Sequence, residues 1–437
     1  MTPSKTTIAS PAPPSPLLGH PPRAALCRRW LAAAILLPLT LAPAQEALRN
    51  SLAGQAAVEG RHRELESRPY TVKSGDFRLL AMPSLGLDWN DNVNTSQTGS
   101  QSDFILRPML QLNASYPLTA YNLLNVSIGL GYDKYFENDE LSGFRLTTGS
   151  EVAFDIFIKD FRFDLHDRFQ YTQDTASQGG VAGTGSYGSF ENTVGLNTTW
   201  DLQDLTLTLS YDHQNSISSS DQFSYTDRAT EFFVARAGLR LHPTLTAGLE
   251  GTVSFTVYDQ HVLNDNTGYS AGVYADWQPG PYLHIQPRLG YTIYDFQQTS
   301  LVTPAEDLDA WYIDLMITHQ PTDTVSYSLN LGHEIRLGIQ SDAIEAWYLR
   351  PSITWNLMKD LTFGTTLFYE HGNEGQLVNS VNTSEIYDWY GGGLNLSHPL
   401  TKKLTLGLNY RLTFRSSNAS QDYTQNLVGL MLTYQLQ

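Results

Sequence analysis

The stretch Asn426-Leu-Val-Gly-Leu-Met-Leu-Thr-Tyr-Gln-Leu436 decides how the rest of the chain is interpreted. Counted in steps of two, it places one apolar set on one side of a strand: Val428, Leu430, Leu432, Tyr434 and Leu436. The residues between them are mostly small, polar or flexible. Such a strand fits a barrel whose outside faces lipid and whose inside faces a lumen. Because a closed barrel has no edge, this last strand must also pair with the first one.

The spacing of Gly429, Leu432 and Tyr434 resembles the C-terminal targeting strand of bacterial outer-membrane proteins. That pattern usually ends in an aromatic residue, whereas this chain runs on through residues 435–437. The resemblance implies that the outer-membrane assembly machinery is a partner.

The first 44 residues have the order of a secretory signal peptide. Basic residues precede an apolar run at residues 30–41, and Ala42-Pro-Ala44 follows, so we predict cleavage after Ala44. The run is about twelve residues and a spanning helix needs roughly 20, which argues against a membrane anchor. Cys27 is the only cysteine, so the mature chain has no disulfide, thiolate metal site or cysteine nucleophile.

The mature chain is strongly acidic. The formal net charge is −17, and it becomes about −21 once the signal peptide removes its basic residues Lys5, Arg23, Arg28 and Arg29. This charge argues against nucleic acid as a partner, because phosphate binding needs a basic surface. Beyond residue 44 no apolar run is long enough for a spanning helix, so any membrane crossing must use strands.

The chain divides into a signal peptide at residues 1–44, a periplasmic N-terminal tail at 45–76 and a barrel at 77–437. The tail is charged and lacks strand alternation, with a short helix expected near residues 47–58. A plug inside the barrel is the alternative for this tail.

From residue 77 onward, alternating segments are joined in turn by tight turns and long polar loops. Eight turns and nine loops predict eighteen strands in an all-β, transmembrane, antiparallel up-and-down β-barrel; one miscounted hairpin would give sixteen or twenty. An even number of strands puts both chain ends on the side of the short turns. In an outer-membrane barrel this side faces the periplasm. The loops are predicted near residues 90–102, 133–143, 174–188, 213–228, 259–267, 296–308, 335–345, 371–384 and 415–423.

Tryptophans mark the predicted strand ends. Six share the apolar-face parity and predict aromatic girdles at the two membrane interfaces: Trp89, Trp200, Trp277, Trp311, Trp347 and Trp355. Trp389 has the opposite parity.

The inward parity carries charges of both signs. These lumen-lining candidates are Arg107, Arg162, Arg168, Arg236, Arg240, Arg288, Arg350, Arg411, Glu151, Asp155, Asp164, Glu250, Asp276, Asp314 and Glu370. Since buried charges are costly without water or partners, they suggest a hydrated lumen. Ion pairs that only hold the wall rigid are the alternative. Sixteen to eighteen strands enclose an aqueous channel unless the tail or loops fold inward.

Four prolines and one aspartate fit the strand pattern poorly. Pro83, Pro108, Pro287 and Pro351 fall inside strands with lipid-facing parity, where a missing N–H breaks the ladder. We interpret them as bulge positions. Asp167 also has lipid-facing parity and predicts a local bulge or a shifted register.

No catalytic, cofactor or metal site is predicted. Residues 268–272 spell G-x-S-x-G, but the strand simply continues where a nucleophile elbow needs a turn into a helix. Residues 183–188 spell G-x-G-x-x-G without a helix to follow. The histidines have no metal-ligand spacing. The sequence therefore argues against an enzyme.

The stretch Pro83-Ser-Leu-Gly-Leu-Asp-Trp-Asn-Asp-Asn-Val93, followed by hairpins to the C-terminus, resembles the putative β-barrel porin 2 family of Gram-negative bacteria. The resemblance covers residues 77–437 and implies an outer-membrane barrel of porin type; some family members look associated with exopolysaccharide production. Two functions follow as hypotheses. One is a channel for passive diffusion of small hydrophilic solutes. The other is a component of exopolysaccharide export, or a structural or surface-binding barrel without open-pore activity.

The predicted loops are strongly acidic, and this predicts a cation preference. Their carboxylates outnumber the basic residues placed there, which are Lys134, Arg228, Arg336 and Arg415. The alternative is that these carboxylates are only solvated, or are bridged by divalent cations to lipopolysaccharide. Outer-membrane lipid, lipopolysaccharide, small solutes and polysaccharide are thus the expected partners.

Overall fold

The computed structural model describes residues 69–436, with residues 120, 174, 186, 302–303 and 379–383 excepted. The predicted signal peptide, its cleavage site and the tail up to residue 68 lie outside the described residues.

The described chain is built almost entirely from strands. Their bounds are β1 Val72–Ser74, β2 Phe77–Asn90, β3 Asp103–Thr119, β4 Asn122–Tyr135, β5 Gly143–Ile158, β6 Phe161–Thr172, β7 Ser189–Leu202, β8 Leu205–Ser218, β9 Arg228–His242, β10 Leu245–Tyr258, β11 Asn266–Gly280, β12 Leu283–Phe296, β13 Leu308–Thr322, β14 Val325–Leu337, β15 Ala343–Met358, β16 Leu361–Gln376, β17 Ser384–Pro399, β18 Leu404–Ser417 and β19 Tyr423–Tyr434. Within the described ranges, helix is limited to the short 3-10 turns Asp139–Leu141, Thr175–Ser177 and Asp221–Thr226. None of the described residues forms a helix long and apolar enough to cross a membrane.

Eighteen of these strands, β2 to β19, form one closed antiparallel barrel. Each strand pairs with the next along the chain, and β19 pairs with β2 from Leu427 opposite Asn90 to Thr433 opposite Ser84. Closure of the last strand on the first, and the number of strands, are therefore confirmed. The three-residue β1 folds back on β2, where the Thr71 hydroxyl accepts from the Ala81 amide at 2.9 Å.

Side chains alternate between the two faces of the wall. The outward residues Leu209 and Leu249 are 64% and 65% exposed, while the inward Thr208 is 4% exposed. An apolar outer face is stable only against lipid, because water would have to hydrate every one of these side chains.

One end of the barrel carries eight short turns and the other carries nine longer loops. Several loops are shorter than the sequence predicts, because β8, β14, β16 and β18 continue three to six residues further. Apolar alternation stops where the lipid-facing band ends, but the backbone ladder continues above it with polar side chains on both faces. The sequence pattern therefore underestimates strand length at the loop end.

The interpretation of the strand prolines as bulges is wrong. Pro108 pairs with Leu85 on one side, and the β3–β4 ladder on its other side skips two residues without changing register. Pro351 behaves in the same way, with Leu349 and Ser352 of β15 keeping the same register toward β16. Each proline leaves a gap because it lacks an N–H, and the neighbouring hydrogen bonds hold the register across that gap.

The irregularity predicted at Asp167 lies instead on the neighbouring strand. Asp167 pairs regularly with Val152 and Val194. The register shift falls between Leu146 and Ser150 of β5, where Gly149 has a φ of 85°. The outward carboxylate of Asp167 accepts from Asn192 Nδ2 at 2.5 Å, so a hydrogen bond compensates its position.

We expect the purified barrel to migrate faster on a denaturing gel before boiling than after it. A closed barrel satisfies its backbone hydrogen bonds within the wall and resists detergent until it is heated. Gel mobility and circular dichroism of the same sample check this. Substantial helix content together with identical mobility before and after boiling would contradict the closed barrel.

Candidate functional site: the lumen and its loops

All fifteen lumen-lining candidates fall on the inward side of their strands, and most are held in ion pairs or hydrogen bonds. Arg107 contacts Asp88 and Asp133. Arg168 lies 3.5 Å from Glu151 and 3.8 Å from Asp164. The lumen wall therefore carries charge mainly as compensated pairs.

One such group is centred on Glu250 of β10, which is 5% exposed. Arg288 Nε donates to Glu250 Oε1 at 3.0 Å, and Arg236 Nε lies 3.5 Å from Oε2. The Tyr312 hydroxyl also donates to Oε1, at 2.9 Å. The Arg236 guanidinium stacks 3.8 Å from the centre of the Tyr274 ring. This group ties five neighbouring strands, β9 to β13, together on their inner face.

A second group is centred on Glu370 of β16, which is 1% exposed. Arg336 Nη1 and Arg350 Nη2 donate to Glu370 Oε2 at 3.1 and 3.2 Å. The Tyr387 hydroxyl donates to Oε1 at 2.9 Å. Two arginines thus offset the charge of a carboxylate that is almost fully buried, and a phenol donates a further hydrogen bond to it.

Glycines make room for the inward tyrosines. A Cβ on Gly272 would lie 2.2 Å from the Tyr312 hydroxyl oxygen, and one on Gly290 would lie 2.5 Å from the same ring. The bare backbone at these positions lets Tyr312 lie along the wall and reach Glu250.

The remaining candidates are placed as follows. Asp276 accepts from Gln286 Nε2 at 3.0 Å and lies 2.9 Å from His284 Nε2, and Asp314 accepts from the Tyr348 hydroxyl at 2.9 Å. Arg411 Nη2 donates to Gln425 at 3.3 Å. Asp155 is fully buried. Arg162 lies 5.4 Å from the centre of the Phe157 ring, and Arg240 is exposed.

The loop of residues 173–188 crosses the lumen. It joins β6 to β7, yet it contacts β15 to β18, which lie at least six strands away around the ring. Arg415 Nε donates to the Gly179 carbonyl at 2.7 Å, and Gln340 Nε2 donates to the Gly180 carbonyl at 3.2 Å. The Gly183 amide donates to the Thr95 carbonyl at 2.9 Å. Sequence reasoning found this loop but not its inward path.

Apolar contacts hold the same loop in place. Val181 is fully buried and packs with Tyr187 and Phe223, the latter from the 3-10 turn between β8 and β9. Tyr225 of that turn packs against a second apolar cluster, and burial raises its pKa to about 12. The loop end of the barrel therefore has a packed interior of its own.

A partly buried aspartate anchors another loop. The Asp342 carboxyl accepts from the Asn264 amide at 2.9 Å and from Asn264 Nδ2 at 2.8 Å. Burial raises the pKa of Asp342, although the Asn264 hydrogen bonds oppose that effect. This contact ties the β10–β11 loop to the β14–β15 loop across the mouth.

Several charges expected in the loops lie on strands instead. Arg336 and Arg415 are inward residues of β14 and β18, exposed by 6% and 2%. Glu374 of β16 is fully buried and faces Glu385 of β17. If the inward–outward alternation of each strand is extended past the end of its apolar band, these charges are placed on the inner face of strands. The described residues contain no group of three or more His, Cys, Asp or Glu side chains that could hold a metal ion.

The six tryptophans predicted to form the girdles are exposed on the outer face, by 37% to 47%. Trp89, Trp311 and Trp347 lie toward the loop end of their strands, and Trp200, Trp277 and Trp355 lie toward the turn end. Trp389 is 7% exposed and packs inside the barrel against Phe368, with ring centres 4.2 Å apart.

We expect all six exposed tryptophans to be quenched most strongly by probes at headgroup depth in reconstituted bilayers. Amphipathic rings are stabilised at the interface between headgroups and acyl chains. Single-tryptophan variants with lipids brominated at different depths make the measurement. Strong quenching of two or more of them at the bilayer centre would show that the band is placed wrongly.

A closed barrel with an apolar outer face, a charged inner face and a loop folded into its lumen defines a porin-type protein of the outer membrane. The pattern of the family described as "Putative beta-barrel porin 2" matches residues 68–436, and the chain belongs to that family. A porin family indicates a channel rather than an enzyme. No curated protein matches the chain.

Several solved structures are similar to this chain at low sequence identity. Acinetobacter baumannii OccAB3 is 10% identical with a TM-score of 0.46, covering 82% of this chain and 98% of that chain. Pseudomonas aeruginosa OccK2 (OpdF), solved in complex with glucuronate, is 12% identical with a TM-score of 0.47, covering 83% and 99%. Pseudomonas aeruginosa OccK5 (OpdH) is 13% identical with a TM-score of 0.43, covering 82% and 98%.

Proposed function

We propose that this outer-membrane channel passes small hydrophilic solutes by passive diffusion and prefers cations. The observation that carries the proposal is the charge of its nine loops. Between the strand bounds these loops contain no lysine or arginine. Their carboxylates are Asp91, Glu137, Asp139, Glu140, Asp174, Asp221, Asp227, Asp259, Asp265, Glu306, Asp307, Asp342 and Asp422.

The lumen arginines offset little of this charge, because most are already paired. Arg236 and Arg288 share Glu250, and Arg336 and Arg350 share Glu370. A solute that approaches from the loop end therefore meets a field of one sign. Such a field raises the local concentration of cations, over about 10 Å at 0.1 M salt.

We expect a reversal potential of cation-selective sign in planar bilayers under a potassium chloride gradient, and a smaller one at high ionic strength because salt screens the loops. Neutralising Glu137, Asp139 and Glu140 together with Glu306 and Asp307 should move it toward anion preference. Matched neutralisation of Asp160, Asp201, Asp204, Asp323 and Asp360, at or next to the turns, is the control. Anion preference of the unaltered barrel, or a selectivity unchanged by the loop variant, would contradict the proposal. A barrel that conducts nothing would favour the export or surface-binding hypothesis.

We also propose that the chain is exported with its signal peptide and inserted into the outer membrane. The signal peptide is cleaved after Ala44, so N-terminal sequencing of the mature protein should begin at Gln45. The assembly machinery of the outer membrane inserts the barrel, and lipid and lipopolysaccharide surround it. The exposed apolar outer face supports this placement.

A further inference from the structure

The inner face of the barrel carries a polar cavity at its turn end, between β5 and β9. It has a volume of about 580 Å³, and its lining includes Lys159, Arg162 and Arg240. Cavities of this size accommodate small-molecule ligands. It lies at the opposite end of the barrel from the acidic loops, so it is separate from the feature that carries the proposed cation preference.

Two of these cations differ from the other basic groups of the lumen. Lys159 and Arg240 are exposed, and neither lies within ion-pair distance of a carboxylate in the part of the chain that the structure describes. By contrast, Arg236, which lies higher on the same wall, pairs with Glu250. Because neither cation is held in an ion pair, both can contact an anion that enters the cavity.

The cavity is held in shape by two tight turns. Lys159 and Gln203 adopt left-handed φ angles of 53° and 70° in the turns β5–β6 and β7–β8. The Asp201 amide donates to the Asp160 carbonyl at 2.9 Å, which joins the two turns. The Arg240 amide donates to the Asp204 carbonyl at 2.7 Å, which fixes the strand that carries this guanidinium. The cationic groups are therefore presented by rigid backbone.

The rest of the lining can complete a binding site for an anion with polar substituents. Thr199 and Thr206 supply hydroxyl groups and Gln203 supplies an amide. Asp160 and Asp201 also line the cavity, so cations exceed carboxylates there by one. The carboxylates offer acceptors for hydroxyl groups of a ligand, whereas a guanidinium suits the two oxygens of a carboxylate or phosphate.

We propose that this turn-end cavity binds a small solute that carries carboxylate or phosphate groups. The site rests on the proposed function and extends it. The acidic mouth favours cations, whereas this cavity binds anionic solutes inside the lumen. Its electrical test rests on the proposed conduction, but its equilibrium binding does not. Binding weakens as ionic strength rises, since the exposed cations are screened.

The experiment compares the whole barrel in detergent with its K159Q/R240Q variant by calorimetric titration, with citrate and inorganic phosphate as separate probes. Loss of two charged partners should weaken binding at least about tenfold. The control is K359Q/K402Q. Lys359 and Asp360 repeat the Lys159-Asp160 dipeptide in the β15–β16 turn but do not line the cavity. Gel mobility before and after boiling shows that each variant is folded.

Tighter binding of citrate than phosphate assigns the site to carboxylates, and the reverse order assigns it to phosphates. In planar bilayers, the probe that binds should reduce the potassium current at lower concentration from the turn side than from the loop side. If the barrel carries no current but binds a probe that the K159Q/R240Q variant does not bind, the binding site is supported and the proposed channel function is rejected. The site is overturned if neither probe binds the unaltered barrel. It is also overturned if the K159Q/R240Q variant binds the probes as tightly as the unaltered barrel does.

Discussion

Replacement of residues 176–185 by Gly-Ser-Gly is expected to raise the single-channel conductance several-fold. The loop that contains them crosses the lumen and is held there by Arg415, Gln340 and the buried side chain of Val181. Removing this segment leaves a wider path between the mouth and the turn end. The measurement is the conductance of single channels in symmetric potassium chloride.

The control for this variant is an equal shortening of the loop of residues 297–307. That loop lies between β12 and β13, and most of its described residues are exposed or partly exposed. Its shortening should leave the conductance close to that of the unaltered barrel. If both deletions have the same effect, or if neither changes the conductance, the segment 176–185 is not the main obstacle in the lumen.

Substitution of Arg336 by methionine is expected to destabilise the barrel by about 3–5 kcal/mol, the range for removing one partner of a buried ion pair. Arg336 is 6% exposed and contacts Glu370, which is 1% exposed. The variant leaves Glu370 with Arg350 and Tyr387 alone, and it removes the cation that lies 3.7 Å from Glu334. Denaturant titrations of refolded barrel in lipid vesicles measure the free energy of unfolding.

Two further variants separate the charge effect from general damage. Arg336→Met combined with Glu370→Met should recover part of the loss, because the double variant no longer buries a carboxylate that has lost one of its two arginine partners. Arg240→Met, at an exposed position without an ion pair among the described residues, should change stability by less than about 0.5 kcal/mol. Equal losses for Arg336→Met and Arg240→Met would show that the buried group contributes nothing special.

The sequence by itself determined the barrel. Strict alternation in β16 and β19, the count of eight turns and nine loops, and the lack of an apolar run beyond residue 44 that is long enough for a spanning helix all point to the same eighteen-stranded wall. It also placed the fifteen charged candidates on the inward side, because side-chain direction in a strand follows from residue parity alone. These properties depend on residues that are close together in the sequence, so they can be predicted from the sequence alone.

Only the tertiary structure decided which inward charges meet and what fills the lumen. Glu250 faces Arg236 across the β9–β10 hairpin, but its contacts with Arg288 of β12 and Tyr312 of β13 depend on how the folded wall brings more distant strands together. Residues 173–188 read as a polar surface loop because nothing in their local pattern distinguishes an inward from an outward path. Their position depends on Arg415, which lies 236 residues from Gly179 along the chain. Parity determines the face of a strand on which a residue lies, whereas contacts across a lumen depend on the closure of the whole wall.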